Sequence, residues 1–224
     1  MERWRVKFKI EGRLAFLSHL DMLTAWERAF RRAELPVLLS EGFNPHLLMS
    51  FGPSHSVGME SESDYFDIDM ADGLDEGWIE ILNKSLPDGL QALAARIISA
   101  REPALMAAIN LASYMVRLDF SACCDGQKKK QFVDQAITSF MKLAECMVER
   151  VSPKGRKTVD IRSGVKSLAY SPDGLLMEVS VGSRGNVRPH EVVNQAFPGC
   201  RLLSVRRTEL FITAETDWLD RQLP

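Results

Sequence analysis

The stretch "WRVKFKI", residues 4–10, constrains the fold more than any other. Trp4, Val6, Phe8 and Ile10 fall on one side of an extended chain, and Arg5, Lys7 and Lys9 on the other. That period of two predicts a strand with one buried face, which needs a covering layer. Gly12 breaks the strand and "SHLDMLTAWERAFRRA" follows. Leu23, Trp26, Phe30 and Ala33 recur there at helical spacing and should face a sheet. Ser18 and Asp21 fit the S-x-x-D capping pattern, in which both ends satisfy free amides of the first turn. Pro36 ends the helix.

The same logic carries down the chain. "HLLMSFG" and "YFDIDMA" read as strands, "LDEGWIEILNKSL" as a helix and "LQALAARIIS" as a strand. The order β-α-β-β-α-β is that of a ferredoxin-like unit. A second round then follows. "SYMVRLDF" is a strand, "KKKQFVDQAITSFMKLAE" a helix, and "CMVERV" and "TVDIRSGVKSLAYS" are extended segments around the turn "SPKGRK". "GLLMEVSVG", "RPHEVVNQAF" and "RLLSVRRTELFI" close the round as strand, helix and strand. The expectation is an α+β protein of two ferredoxin-like modules packed together, residues 1–104 and 105–224.

No stretch approaches the 18 apolar residues of a membrane span, and the charged, alternating start is unlike a secretory signal. Cys123, Cys124, Cys146 and Cys200 form no C-x-x-C pair, and the adjacent Cys123 and Cys124 do not suit a disulfide framework. A reducing cytoplasmic location and no membrane contact are expected. H-x-x-x-H and C-x-x-C spacings and glycine-rich nucleotide loops are absent, so no metal and no cofactor are expected. The scattered cysteines also cannot hold the iron–sulfur cluster of a radical enzyme.

Charge is uneven. Residues 60–90 hold ten acids against Lys84, and residues 150–210 hold eleven bases against five acids. Either a nucleic-acid partner on the C-terminal side or a solvated charged face explains this. Lys154, Arg156, Lys157, Arg162 and Lys166 lie in a stretch with few aromatics, which suits phosphate contacts better than base stacking. Arg28, Arg31 and Arg32 share one face of the first helix, suited to bidentate anion contacts or to ion pairs with Glu27 and Glu34.

Three histidines, His19, His46 and His55, fall in the N-terminal half. His19 opens a helix, where the positive dipole end favours a neutral ring. In "SEGFNPH", Gly42 permits a positive φ and Pro45 holds Asn44 extended. His19, His46 and Glu41 are the acid–base candidates. Ser18, His19, Asp21, Glu41, Asn44, His46 and Ser50 are the candidate ligand or partner site. Ser18, His19, Glu41, Asn44 and His46 should converge in one groove.

The pieces "FLSHLD", "RAFRRAELPV", "SEGFNPH", "SFGPSHSVGMES" and "DYFDI", with "VDIRSGVKSL", "VRPHEVV" and "VRRTEL" later, resemble the radical-SAM-linked family. Its members are fused to, or encoded beside, a radical S-adenosylmethionine protein with a cobalamin-binding-type domain, and many lie near ribonuclease and ribosomal protein genes. The resemblance marks Ser18, His19, Asp21, Glu41, Gly42, Phe43, Pro45, His46, Ser50, Gly52, Pro53, Gly58 and Glu60 as signature positions. Where the family has a small residue after "FGP", this chain carries Ser54-His55, so the resemblance assigns His55 no role. It implies an RNA-binding or substrate-presenting accessory to a radical S-adenosylmethionine partner, in RNA modification or processing, with tRNA or rRNA as the RNA. An endoribonuclease-like processing enzyme and a protein-docking module are the alternatives. Whether the chain is an enzyme stays open, with more weight on no activity of its own.

Overall fold

A computed structural model describes residues 1–99, 101–124, 128–153, 155–183 and 185–213 of the 224. The chain is a mixed α+β protein that divides into two compact units. One is Met1–Ile109 together with the segment from Glu209 onward, and the other is Asn110–Thr208.

In the first unit, β1 (Glu2–Ile10) lies between β4 (Leu90–Ile98) and β3 (Glu60–Met70), and the short β2 (Met49–Phe51) pairs with β3. All three pairings are antiparallel. Trp4, Val6, Phe8 and Ile10 are buried as the alternation requires. They pack with Phe66, Ile68 and Met70 of β3 against α1 (His19–Arg32) and α2 (Trp78–Ser85). The expected strand over "HLLMSFG" is shorter than its apolar run. Before β2 the chain makes only the isolated bridges Val37–Met70 and Leu39–Leu47. Asn83 on α2 both donates to and accepts from the backbone of Ala92, which ties the helix to β4. Gly89 has φ 93°, and a side-chain carbon there would stand 2.6 Å from the Glu11 carbonyl, so the turn into β4 requires glycine.

The helix start follows the sequence pattern with one difference. Ser18 Oγ accepts from the Asp21 amide at 3.2 Å, but its hydroxyl also donates to the Asp21 carboxylate at 2.7 Å. Asp21 thus holds the cap rather than a backbone amide. At the other end Glu34, at φ 51°, turns the chain before Pro36.

The second face of β1 is not a solvated one. Arg5 retains 1% exposure, because the antiparallel register sets Asp67 directly opposite it. Two hydrogen bonds of 2.8 and 3.0 Å join them, and the Pro103 carbonyl accepts from Arg5 as well. Arg3 and Asp69 repeat the pairing one step along. Much of the acidity of "DYFDID" is therefore interior: Asp64, Asp67 and Asp69 are all buried. Lys7 completes the row with Tyr65 and Glu209. Burial works to lower the Lys7 pKa, but those two partners outweigh it and hold it above the ordinary lysine value. Burial pushes the Tyr65 phenol up. Glu209 also accepts from the hydroxyls of Ser63 and Tyr65. The one-turn α3 (Leu105–Ala108) contacts β2 and β3, with Leu105 and Ile109 against Gly52.

In the second unit the strand order is β10 (Arg201–Phe211), β5 (Leu111–Asp119), β9 (Gly174–Ser180), β8 (Val165–Ser171). Its core includes Val116, Val133, Phe140, Met177, Val179 and Val192, from the strands and from α4 (Lys129–Met141) and α5 (Pro189–Ala196), and Phe197 just after α5. The extended run expected over "TVDIRSGVKSLAYS" is two strands. Among the described residues β7 (Gly155–Asp160) pairs only with β6 (Met147–Ser152), as a separate ribbon, and β8 begins after a break. The Asp160 carboxylate makes that break by accepting from the amides of Cys146 and Arg162, which also holds it below the usual carboxylate range. Cys123 and Cys200 form a disulfide with Cα atoms 5.8 Å apart, which corrects the expectation that the adjacent Cys123 and Cys124 do not suit a disulfide framework. Their 77-residue separation hid the pairing, and the adjacent Cys124 stays free.

Glu191 of α5 anchors the ribbon through Arg150, with bonds of 2.7 and 2.6 Å. Burial alone would raise its pKa, but Arg150 and the Arg188 amide outweigh burial and hold it below the usual range. A lowered folded value means this stabilisation is present above the ordinary glutamate range and is lost as pH falls through the folded value. The expected result is a second unit that loses thermal stability as pH falls below the ordinary glutamate range. In Glu191→Gln that acid dependence is flatter and the neutral-pH midpoint is lower. Parallel melting curves for the two proteins across pH would count against this.

Candidate functional site

The turn "SEGFNPH" is a closed local structure. The Ser40 amide donates to the His46 carbonyl at 2.8 Å, and Ser40 Oγ receives the His46 amide at 3.2 Å. The same hydroxyl lies 2.9 Å from His46 Nδ1. Glu41, Gly42, Phe43, Asn44, Pro45 and His46 are exposed, Phe43 completely. Gly42 sits at φ 128°, as expected for this turn.

His19 is in different company. Its Nδ1 lies 3.4 Å from Ser54 Oγ, and its ring meets Phe51 edge-on at 5.3 Å between centroids. It lines a cleft of about 30 Å³, with Ser54, His55, Val57 and Asp64, backed by Phe8, Met22 and Phe51. Of the seven ligand candidates, His19 alone lines it. Ser18 and Asp21 are joined to each other at the helix cap, and Ser50 is exposed on β2 in register with Asp67. Glu41, Asn44 and His46 belong to the turn.

His55 and Asp64, both outside the candidate set, line the cleft as well, and Ser61 stands behind Asp64. His55 Nδ1 lies 3.1 Å from Asp64 Oδ2, and the Ser61 hydroxyl donates to the other Asp64 oxygen. Side-chain exposure is 9% for His55 and 7% for Asp64, so a solvated surface pair is not what this is. The readable signal was the alternation of "DYFDIDM". It puts Asp64 on the same face as Phe66, Ile68 and Met70, and an acid on a core face needs a partner.

The basic candidates divide in the same way. Arg28 and Arg31 are exposed on α1, whereas Arg32 donates to the Ser85 carbonyl at the end of α2. Arg162 donates to the carbonyls of Val165 and Met141 and lies over the Phe140 ring, so it braces the loop. Lys166 reaches the Ser163 carbonyl at 3.5 Å. Arg156 pairs across the ribbon with Glu149 on the surface, and Lys157 is exposed beside it. Lys154 lies outside the described residues. Among the described residues, no group of three or more His, Cys, Asp or Glu side chains is arranged to hold a metal ion, and no helix is long and apolar enough to cross a membrane.

A model of the family described as "Uncharacterized protein conserved in bacteria (DUF2344)" matches residues 3–189. A search of the curated proteins finds no match.

Proposed function

We propose that this chain, which belongs to the bacterial family DUF2344, is an RNA-binding accessory protein. The β6–β7 ribbon carries the reading. Among the described residues it pairs only with itself, most of its residues face solvent, and it presents Arg156 and Lys157 on one strand. Guanidinium and ammonium groups on an exposed ribbon suit contacts to a phosphate backbone, which position a nucleic acid without reading its sequence.

The strand orders β4-β1-β3-β2 and β10-β5-β9-β8 support reading each unit as ferredoxin-like, the second with the ribbon inserted between α4 and β8. Sheets of that type serve in RNA recognition, an inference by fold analogy. The partner we propose is a radical S-adenosylmethionine enzyme acting on tRNA or rRNA in the cytoplasm, and the motif resemblance supports it.

The test is a titration of total tRNA and rRNA fragments into the purified chain at two salt concentrations. Binding should weaken steeply with salt. Arg156→Ala with Lys157→Ala should weaken it for all sequences alike and lower the salt slope by about two. No binding at low salt would end the RNA reading, and a tight complex with a radical enzyme alone would favour the docking module. A second reading, an RNA-processing enzyme, is favoured by the two histidines that line the cleft, His19 and His55.

A further inference from the structure

The Ser61–Asp64–His55 chain has a form that a packing role does not require. It runs from the buried side of β3 to a cleft, and it ends there in an imidazole. An ionised carboxylate only accepts, which puts the His55 proton on Nδ1 and leaves a lone pair on Nε2. The cleft has room for about one water molecule and an apolar backing of Phe8, Met22 and Phe51. A second imidazole, His19, lines it and is exposed, so a proton donor can meet a substrate arriving from solvent.

Two further features say what kind of substrate fits. Ser18 engages the amides of Asp21 and Met22, and those of His19 and Leu20 belong to the first turn of a 14-residue helix, where no intrahelical carbonyl can accept them. Such amides suit the oxygens of a phosphoryl group. Phe16, Leu20 and Val57 are 68%, 72% and 64% exposed. Val57 lines the cleft, and Phe16 packs at the neighbouring Gly58. The cleft itself takes a water and not a base, so a phosphodiester would lie across its mouth, against the two imidazoles and beside the apolar rim.

We propose that His55 and His19 form an acid–base pair that hydrolyses a phosphodiester, with Asp64 as the positioning residue. Nε2 of His55 takes a proton from a water as the water oxygen bonds to phosphorus. The bond from phosphorus to the leaving oxygen breaks, and His19, which the phosphoryl anion at the helix end favours as the imidazolium, protonates that oxygen. One diester and one water become a monoester and an alcohol, and the His55 proton returns to His19 through solvent. The choice of RNA as the natural diester rests on the function proposed above; the chemistry rests on the cleft.

The experiment uses the full chain with bis(p-nitrophenyl) phosphate and with end-labelled RNA, both in EDTA. Turnover should fall roughly a hundred- to ten-thousand-fold in His55→Gln and in His19→Gln. His19 is exposed, so its variant should keep the thermal midpoint of the unmodified chain and remain informative if His55→Gln misfolds. Asp64→Asn should shift the acid limb of the pH–rate profile as well as lower the rate, which a purely structural aspartate would not do. Absence of turnover on both substrates, or unchanged turnover in His19→Gln, overturns the proposal. RNA that binds without being cut overturns it and leaves the ribbon reading standing. Diester hydrolysis without RNA binding supports the cleft and ends the ribbon reading.

Discussion

Asp67→Ala is expected to destabilise the protein by about 3–5 kcal/mol, because it leaves a buried guanidinium without its counter-charge. The side chains of Arg5 and Asp67 retain 1% and 6% exposure, and two hydrogen bonds join them across β1 and β3. The Pro103 carbonyl, at 3.4 Å, cannot replace a carboxylate. The pair as a whole is a different matter. Much of its attraction offsets the desolvation of two charges, so Arg5→Met combined with Asp67→Leu should recover most of the loss. Urea unfolding of Arg5→Met, Asp67→Leu and the two combined forms the cycle that separates these terms. A single-variant loss below about 1 kcal/mol would place the pair among exposed ion pairs and refute the burial argument.

Trp26→Ala should cost a similar amount, about 3–5 kcal/mol, for another reason. Trp26 is completely buried on α1, with ring centroids of Phe66 and Phe8 at 4.7 and 5.1 Å and Phe30 at 6.3 Å. Truncation leaves a hole bounded by three aromatic rings, which cannot close around it without leaving their rotamers. Its indole Nε1 has no hydrogen-bond partner. Trp26→Phe therefore keeps ring packing and gives up no hydrogen bond, and its loss should be clearly smaller. Equal losses in the two variants, measured by the same unfolding curves, would show that the site depends on indole size alone.

The sequence by itself determined the elements whose pattern repeats locally. The alternation in "WRVKFKI" marks both β1 and its buried face, and Trp26 and Phe30 mark the core side of α1. Ser18 marks the helix start because its hydroxyl acts within its own first turn. Gly42 and Pro45 mark a turn for similarly local reasons. Register across strands decided the rest. Arg5 and Asp67 lie 62 residues apart and meet only because β1 and β3 pair antiparallel, so charges that read as surface became interior. Cys123 and Cys200 are joined in the same nonlocal way. The candidate site parted along this line. His46 closes its own turn with Ser40, six residues away, whereas His19 stands with Ser54, 35 residues on, in a cleft that His55 and Asp64 complete. A one-dimensional pattern records which face a residue takes on its own element. Which residue stands opposite it is decided by chain crossings that bring distant segments into hydrogen-bond distance, and only the tertiary structure holds that information.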